Sequence, residues 1–487
     1  MDSSTSSSSS SSVSIELKDI YDYDVIIIGA GVVGTSMAFA LGNAGKQVLV
    51  VERDMSEPDR IVGELMQPGG VKHLQMLGMG DCFQGIDASP AYGYGIFMGA
   101  DKSTKLTYPK LQSTGENAIG YSFHHGKFIN KLREKMSSAP NVTVVEGTVK
   151  ALIEDDNQVH GVTYVTLDSE TGQQVSMDKR APLTIVCDGC FSNLRRVITP
   201  ANTPSQTSTF VGLIIRGVNL PYHHHGHVFL VDPTPILMYR IGSNEIRVLV
   251  DVPGVCPSND ILRQRFREQT APQLPETLRT AFLQALETQQ LKKMPNSRLH
   301  PQESTKPGSI ILGDAWNMRH PLTGAGMTVA LSDVYHMSQL LGRLSAADLC
   351  NPKVMDNIIQ QFKSKRQPLA STLNVLAGAL YNVFSADYEN LRKACMGYLS
   401  LGGEFTAGPV KLLSGLCPKP HVLAMHFFAV AFYGLVKNLF PFPTPSKIAT
   451  SYKMLCQASD IVVPLLRNEK ILQKLVALCS LLRLTKK

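Results

Sequence analysis

YDVIIIGAGVVGTSMAFALGNAG (23–45) runs directly into KQVLVVER (46–53). The pattern predicts a short buried strand, a glycine-rich turn, a helix of small residues and a second strand, which together form a βαβ unit. Gly29, Gly31 and Gly34 lie between the first strand and the helix, and Glu52 ends the second strand. Glycines at this spacing let the backbone approach a pyrophosphate at the helix N-terminus, while the carboxylate accepts hydrogen bonds from ribose hydroxyls. The segment predicts a dinucleotide site; the alternative is a tight turn whose glycines only permit close packing.

A second glycine-containing segment indicates which nucleotide binds. GDAWNMRHPLTGAGMT (313–328) follows another strand-like stretch and leads into a helix that begins near Gly326. Asp314 suits ribityl hydroxyls, and backbone amides at a helix start suit the pyrimidine edge of a flavin. Asp188 lies in the triplet CDG (187–189) after a third predicted strand, and this triplet is the third part of the predicted flavin site. A single Gly-Asp pair is commonly only a helix cap, but the three parts in this order resemble the glutathione-reductase-type flavoprotein monooxygenases.

The remainder of the chain divides by its hydrophobic pattern. A second, hairpin-rich sheet is predicted over 210–252, and beyond about Val354 the sequence turns helical and apolar. The predicted fold is α/β, with a glutathione-reductase-type FAD-binding Rossmann lobe, a β-sheet substrate domain and a C-terminal helical, membrane-associated region. The predicted boundaries are a disordered serine-rich tail at 1–20, a discontinuous FAD-binding domain at 21–182 and 183–200 with 300–352, a substrate domain at 201–299 with part of 85–125, and the helical region at 353–487.

Composition narrows the class of protein. Hydrophobic residues make up 44% of the 487 residues and charged residues 18%, which is apolar for a soluble enzyme but below a polytopic membrane protein. The net charge of +7 is dispersed, so nucleic acid is not an expected partner. Nine scattered cysteines indicate neither a zinc site nor a disulfide framework. The histidines at 124, 125, 223, 224, 225 and 227 lack companion ligands at metal spacing and are interpreted as solvated loop, without a metal. Hydrolase chemistry has no GxSxG motif to support it.

Several longer stretches narrow the resemblance. ERDMSEPDRIVGELMQPGGV (52–71), FVG (210–212), MPNS (294–297), GDAWNMRHPLTGAGMTVAL (313–331), CPKP (417–420) and FFAVAFYG (427–434) follow one another along the chain. With them the chain resembles the squalene epoxidases, of the fungal type, over essentially its whole length after the serine tract. Trp316 and Ala325 replace smaller or more typical residues within the flavin segment, and the tail after Pro445 departs from the family pattern.

The resemblance implies FAD as the cofactor. Arg60 and Arg133 are expected to pair with phosphate or to close over the flavin, because guanidinium makes directional charge-assisted hydrogen bonds. The alternative for either arginine is a surface ion pair. Gln67 and Tyr94 match positions that border flavin and substrate, and they are expected to form a polar pair at the reacting end of the pocket. The full set of expected FAD-binding residues is Gly29, Gly31, Val32, Val33, Gly34, Glu52, Arg53, Arg60, Arg133, Val149, Asp188, Asp314, Gly324, Gly326 and Met327.

The implied reaction is the epoxidation of squalene to (S)-2,3-oxidosqualene with O2, a step of sterol biosynthesis that leads to ergosterol in fungi. The resemblance also implies a separate NADPH-dependent diflavin reductase as electron donor, and a location at the endoplasmic reticulum membrane or on lipid droplets. Two other functions stay open. The chain could oxidise a different polyprenyl or polycyclic lipid, or it could be a non-catalytic FAD- or lipid-binding protein.

Two apolar stretches near the C-terminus bear on membrane attachment. HVLAMHFFAVAFYGLVKNLF (421–440) is nearly long enough to cross a bilayer but is interrupted by histidines, a lysine and an asparagine. ILQKLVALCSLLRL (471–484) is partly amphipathic. We expect both to lie on a membrane rather than cross it, and the alternative is that both are helices covering the core.

Overall fold

The computed structural model describes residues 20–99, 102–111, 114–469 and 471. The strands are β1 Val25–Ile28, β2 Val48–Glu52, β3 Leu65–Met66, β4 Ser89–Ala91, β5 Gly93–Met98, β6 Lys102–Thr107, β7 Gly120–Ser122, β8 Val142–Asp155, β9 Gln158–Leu167, β10 Gln174–Arg180, β11 Leu183–Val186, β12 Ser205–Ile215, β13 Gly226–Phe229, β14 Ile236–Gly242, β15 Glu245–Pro253, β16 Lys292–Arg298 and β17 Ser309–Ile311. The helices are α1 Val32–Asn43, α2 Pro68–Met76, α3 His125–Ser137, α4 Arg195–Ile198, α5 Asn259–Arg265, α6 Glu276–Thr288, α7 Gly326–Leu341, α8 Ala346–Cys350, α9 Pro352–Phe384, α10 Glu389–Leu399, α11 Glu404–Leu413, α12 Pro420–Leu439 and α13 Pro445–Asn468. The predicted serine-rich tail and nearly all of the stretch 471–484 lie outside the described residues.

The first sheet has seven strands in the order β10-β9-β8-β2-β1-β11-β17. Its strands from β8 to β17 in this order run parallel, and β9 and β10 extend it in the antiparallel sense. Strand β1 (VIII) is buried along its whole length, as expected of an apolar strand inside a parallel sheet. The neighbours β1, β11 and β17 therefore end at the same edge, and the segments GAG, CDG and GDA follow them there. The predicted α/β fold is confirmed.

The second sheet also has seven strands, in the order β16-β12-β15-β14-β13-β5-β6, and a small third sheet has the order β3-β7-β4. Along β15, successive side chains point to opposite faces of the second sheet, as in any β-strand. Val248 and Val250 point to an apolar core shared with α5 and α6. Arg247, Leu249 and Asp251 lie at the alternate positions, on the face that is turned toward the rest of the molecule. This inner face supplies the second wall of the site described below.

The C-terminal helices α9 to α13 pack together on an apolar core that also contains Leu65 of the third sheet and Tyr94 and Leu237 of the second sheet. Within the described residues, one helix, α12, is long and apolar enough to cross a membrane. The helix α9 and the segment after it, to Leu399, meet at 82° and would add a second span only if this bent pair crossed as one. Only 22% of the apolar window of α12 is fully buried, and one side of the helix is exposed.

Candidate active site

A cavity of about 950 Å³ lies between the carboxyl edge of the first sheet and the inner face of the second sheet. Gly31, Asp188 and Asp314 line one side, after three neighbouring parallel strands. Leu237 and Leu249 of the second sheet line the other side. Sites for small molecules and cofactors occupy roughly 300–1,000 Å³, so this cavity has room for a large ligand. Its two walls are chemically different: one is rich in backbone and carboxylate groups, and the other combines leucines with polar side chains of β16 such as Lys292 and Asn296.

The glycines after β1 make a turn that side chains would not allow. Gly29 has φ +99°, and a Cβ on it would lie 2.7 Å from the Cys187 carbonyl oxygen. A Cβ on Gly34 would lie 1.8 Å from the Gly29 carbonyl oxygen. A Cβ on Gly31, in contrast, would meet nothing within 4 Å, because this residue faces the open cavity at the N-terminus of α1. Since amides at a helix N-terminus favour anions, the turn fits the pyrophosphate of a dinucleotide.

Glu52 and Arg133 fix this turn from the neighbouring strand and from α3. The Glu52 carboxylate accepts a hydrogen bond of 2.6 Å from the Ala30 amide and stays on the cavity wall. Arg133 is buried, and its guanidinium donates to the carbonyls of Ala30, Ser56 and Asp54 at 3.0–3.1 Å. Arg133 is therefore not a surface ion pair. It ties the glycine turn to the loop after β2, and it also borders the cavity.

The two predicted aspartates face the cavity in different ways. One carboxylate oxygen of Asp188, Oδ1, is buried and lacks a hydrogen-bond partner among the described residues, and burial raises the pKa of this carboxyl. The Asp314 side chain is exposed to the cavity. A buried polar atom without a partner is costly, so the orphaned oxygen of Asp188 fits a ligand that donates hydroxyl hydrogen bonds, such as a ribityl chain.

The other predicted FAD-binding residues lie around the same cavity. Arg60 donates a hydrogen bond of 3.3 Å to the Cys190 thiol. Gly34 is set behind the turn rather than on the wall. Neither Trp316 nor Ala325 is on the wall: both are buried, and the Trp316 ring stacks on Phe362 of α9. Of the predicted FAD-binding residues, those that line the cavity are Gly29, Gly31, Val32, Val33, Glu52, Arg53, Arg60, Arg133, Val149, Asp188, Asp314, Gly324, Gly326 and Met327.

Gln67 and Tyr94 are in direct contact. The Gln67 side-chain nitrogen donates to the Tyr94 hydroxyl and, at 2.6 Å, to the Thr323 carbonyl, while its oxygen accepts from the Tyr108 hydroxyl at 2.7 Å. Tyr94 lines the cavity and Gln67 lies directly behind it, fully buried. Burial raises the pKa of Tyr94, so its hydroxyl stays protonated. Sequence reasoning did not find Tyr108 or Thr323, and no local pattern distinguishes Tyr108 from an ordinary core tyrosine.

A buried ion pair on the apolar side was also missed. Both nitrogens of the Arg247 fork donate to the Glu64 carboxylate at 2.8 Å, and the Tyr239 hydroxyl lies 3.4 Å from the same carboxylate. Glu64 and Tyr239 border the cavity. The only signal for this pair in the sequence is an arginine next to the apolar run of β15, since Glu64 is far away along the chain.

The prediction of a solvated histidine loop holds for His223, which is exposed, but is wrong for His125, His225 and His227. His225 and His227 are buried, and the His227 ring stacks between Tyr222 and Phe97. His124 pairs with a carboxylate of β15 instead of facing solvent alone. The chain folds His225 and His227 against the sheet at the start of β13, which composition could not predict. In the part of the chain that the structure describes, no cluster of three or more His, Cys, Asp or Glu residues could hold a metal ion.

Two family models match the chain. One described as Squalene epoxidase matches residues 180–450, and one described as Glucose inhibited division protein A matches residues 24–208. Among curated relatives, squalene epoxidase 3 of Arabidopsis thaliana is 46% identical, covering 93% of this chain and 86% of its own length. The squalene monooxygenase of Mus musculus is 43% identical, with 92% and 78% covered. Squalene epoxidase erg1 of Schizosaccharomyces pombe is 39% identical, with 92% and 98% covered. The relatives thus give no preference to the expected fungal type.

Solved structures share the fold at low sequence identity. PqsL, a probable FAD-dependent monooxygenase from Pseudomonas aeruginosa, superposes with a TM-score of 0.59 at 19% identity, covering 75% of this chain and 97% of that one. The flavin-dependent brominase Bmp2 gives 0.62 at 15% identity, with 84% and 98% covered. A single-residue variant of Klebsiella pneumoniae HpxO, complexed with FAD, gives 0.61 at 20% identity, with 80% and 98% covered. These likenesses establish the flavoprotein fold.

Proposed function

The chain belongs to the squalene epoxidase family, and from this premise we propose that it is an FAD-dependent monooxygenase that converts squalene to (S)-2,3-oxidosqualene in sterol biosynthesis. The observation that carries the proposal is the joining of two unlike walls in one cavity. A dinucleotide-binding edge faces the leucines of the second sheet there, and Tyr94 of that sheet lines the cavity with Gln67 directly behind it. A cavity of this kind suits a flavin on one side and a hydrocarbon on the other.

FAD fits the residues of the first wall. The glycine turn would receive the pyrophosphate, Glu52 the ribose, and Asp188 and Asp314 the ribityl hydroxyls, while the amides at the start of α7 would face the flavin ring. When bound and reduced, FAD supplies the chemistry that activates O2 and delivers one oxygen atom to an alkene. The protein contributes binding, orientation and the exclusion of water.

The second wall suits an apolar substrate without ionisable groups. Leu65, Leu237, Leu249 and Leu322 would hold the chain of squalene by apolar contact. Tyr94 lines the cavity beside this surface, and its hydroxyl accepts a hydrogen bond from Gln67. We propose that this hydroxyl orients the reacting end of the pocket by hydrogen bonding.

Electron supply and location belong to the same proposal. Squalene epoxidases are expected to take electrons from a separate NADPH-dependent diflavin reductase, and the positive net charge of this chain suits an acidic partner. Attachment to the endoplasmic reticulum membrane or to lipid droplets is supported by an apolar face on α12 and the loop after it. The members of this apolar face are Met425, Phe428, Phe432, Val436, Phe440 and Phe442, each 42–75% exposed.

The test is product analysis with purified protein. The detergent-solubilised chain would be incubated with FAD, NADPH, a diflavin reductase and squalene, and the lipids analysed by mass spectrometry. We expect 2,3-oxidosqualene in the complete mixture and none when NADPH is omitted. Flavin reduction with release of hydrogen peroxide and no epoxide would instead favour a different polyprenyl or polycyclic lipid as substrate. Failure to bind FAD would favour a non-catalytic lipid-binding protein.

A further inference from the structure

His320 is buried just outside the cavity, in the segment that leads to the helix α7. It is 2% exposed and is not on the cavity wall, whereas its neighbours Pro321 and Leu322 are. The short turn Pro321–Thr323 follows it, then Gly324 with φ +60°, and α7 begins at Gly326. The conformation of this turn therefore determines where the amides at the start of α7 face the cavity.

The hydrogen bonds of the imidazole define its tautomer. The Leu322 amide donates to Nδ1 at 3.2 Å, so Nδ1 is an acceptor and Nε2 carries the hydrogen. Nε2 lies 3.0 Å from the Ser208 hydroxyl and 3.5 Å from the Asp251 carboxylate. Burial lowers the pKa of His320, which keeps this neutral form. The ring also stacks on Tyr381 of α9, with centroids 4.0 Å apart.

The groups that face Nε2 come from three adjacent strands of the second sheet. Ser208 is on β12, Asp251 on β15 and Asn296 on β16, and all are buried. The Asn296 amide nitrogen donates to the Ser208 hydroxyl and to the Asp251 carboxylate, each at 3.0 Å. Asp251 Oδ2 and Asn296 Oδ1 have no hydrogen-bond partner among the described residues. Because a buried carboxylate is costly unless hydrogen bonds satisfy it, the N–H of the imidazole is a donor that this cluster needs.

The turn is held at both of its ends. His320 fixes its beginning to the second sheet, and the Gln67 amide fixes its end by the bond to the Thr323 carbonyl. Gln67 also donates a hydrogen bond to Tyr94, which lies on β5 of the second sheet. His320 and Gln67 thus connect the second sheet to the flavin-facing turn from behind the cavity wall, whereas their partners Asn296 and Tyr94 are on the wall.

We propose that His320 is a positioning residue that locks the substrate-binding sheet onto the flavin-facing turn through Asp251, Ser208 and Asn296. The inference rests on the proposed function, and it assigns to His320 a positioning role outside the oxygen-transfer step. Without His320 the turn is free to shift relative to Leu249 and Tyr94, so both the seat of the flavin ring and its distance from the alkene change. A shift of about 1 Å is enough to reduce catalysis strongly.

Three variants at this position separate the roles of the two ring nitrogens, Nδ1 and Nε2. His320→Asn keeps an acceptor close enough for the Leu322 amide but does not reach Asp251 or Ser208. His320→Gln reaches these two groups, and His320→Ala removes the hydrogen bonds of both ring nitrogens. His73→Gln is the control, because His73 is a part-buried imidazole that hydrogen-bonds a backbone carbonyl, that of Gly69, at 2.7 Å and is not on the cavity wall.

The first readouts concern FAD binding and do not depend on turnover. FAD affinity is measured by flavin fluorescence, and the environment of the bound ring by visible circular dichroism. We expect His320→Ala and His320→Asn to bind FAD about tenfold more weakly, the usual effect of losing one hydrogen bond to a charged group, with an altered visible spectrum. His320→Gln and the control should stay within about threefold of the parent.

The last readout is the fraction of NADPH consumption that appears as epoxide instead of hydrogen peroxide, which we expect to fall for His320→Ala and His320→Asn. A double-mutant cycle of His320→Ala with Asp251→Ala should be non-additive, because both changes break the same lock. Unchanged FAD affinity, spectrum and coupling in His320→Ala, with only a lower Tm, would overturn the proposal. Weak FAD binding in a protein that makes no epoxide from squalene would keep the role of His320 and remove only the substrate assignment.

Discussion

The Gln67 side-chain nitrogen donates a hydrogen bond of 2.6 Å to the Thr323 carbonyl, although 256 residues separate the two positions. Gln67 precedes α2 and Thr323 precedes α7, so this bond joins the entrances of two helices next to the cavity. The same nitrogen donates to the Tyr94 hydroxyl on the wall. One buried amide therefore connects the flavin-facing turn to the side chain expected to border the substrate.

Replacing Gln67 by leucine should disable the site with little change of volume. Thr323, Tyr94 and Tyr108 would each lose a buried hydrogen-bond partner, and a buried group without its partner costs roughly 1–3 kcal/mol. We expect epoxide formation to fall roughly ten- to a hundredfold, with weaker FAD binding, as measured by product yield and fluorescence titration. Normal turnover in Gln67→Leu would show that this amide serves stability alone.

Tyr94→Phe tests the hydroxyl that Gln67 holds at the cavity wall. We expect FAD binding to persist, since Tyr94 belongs to the second sheet and not to the dinucleotide-binding edge, while product formation falls about tenfold and more NADPH is lost to hydrogen peroxide. Tyr108→Phe is the matched control because it removes the other hydroxyl bonded to Gln67, away from the wall. Equal losses of product in both variants would contradict a role for Tyr94 at the reacting end.

Two glycine substitutions distinguish a binding defect from a folding defect. Gly31→Ala should leave the fold intact, because its Cβ meets nothing within 4 Å, but the methyl group enters the space of the pyrophosphate. Gly34→Ala should fail to fold, because its Cβ would lie 1.8 Å from the Gly29 carbonyl oxygen. Circular dichroism and FAD titration measure the two effects. A stable Gly34→Ala protein, or unchanged FAD affinity in Gly31→Ala, would contradict the assignment of the turn.

The sequence predicted those parts of the site whose chemistry is contained in short segments. Gly31, Asp188 and Asp314 each lie within three residues after the end of a strand, and neighbouring parallel strands bring such positions together without further information. Residues whose role depends on a contact between distant parts of the chain could not be predicted. Arg247 and Glu64 are 183 residues apart, and neither has a neighbour in sequence that indicates a buried partner.

Arg133 shows why a residue type alone does not define a role. The sequence left open a phosphate contact, closure over the flavin and a surface ion pair, and the structure shows three bonds to backbone carbonyls. The helix α3 packs beside α1, which brings the guanidinium under the glycine turn. Whether Arg133 also contacts FAD stays a prediction, as do the domain boundaries and the other individual contacts.

Two buried histidines predict a loss of stability in weak acid. Burial lowers the pKa of His125 and of His227 to about 4. Between about pH 6.5 and pH 4 the unfolded chain takes up protons that the folded chain does not, so stability falls as the pH falls through this window and is fully present above it. The loss is at most about 3 kcal/mol for each histidine. Thermal melts of His227→Gln should show a smaller decrease of Tm over this range, whereas exposed His421→Gln should match the parent.

The apolar face of α12 and the loop after it predicts how the protein attaches to lipid. Phe428 and Phe432 lie one helical turn apart and are 42% and 63% exposed, so the helix leaves aromatic rings uncovered by protein. We expect the double change Phe428→Glu and Phe432→Glu to weaken binding to phospholipid vesicles at least about tenfold in a flotation assay, because charged side chains replace buried apolar area. Detergent-solubilised squalene should still be oxidised, since neither ring is on the cavity wall. Val255→Glu, at a position 95% exposed in the loop after β15, adds a glutamate away from this face and should leave flotation unchanged. Full flotation of the double variant would mean that another part of the chain carries the attachment.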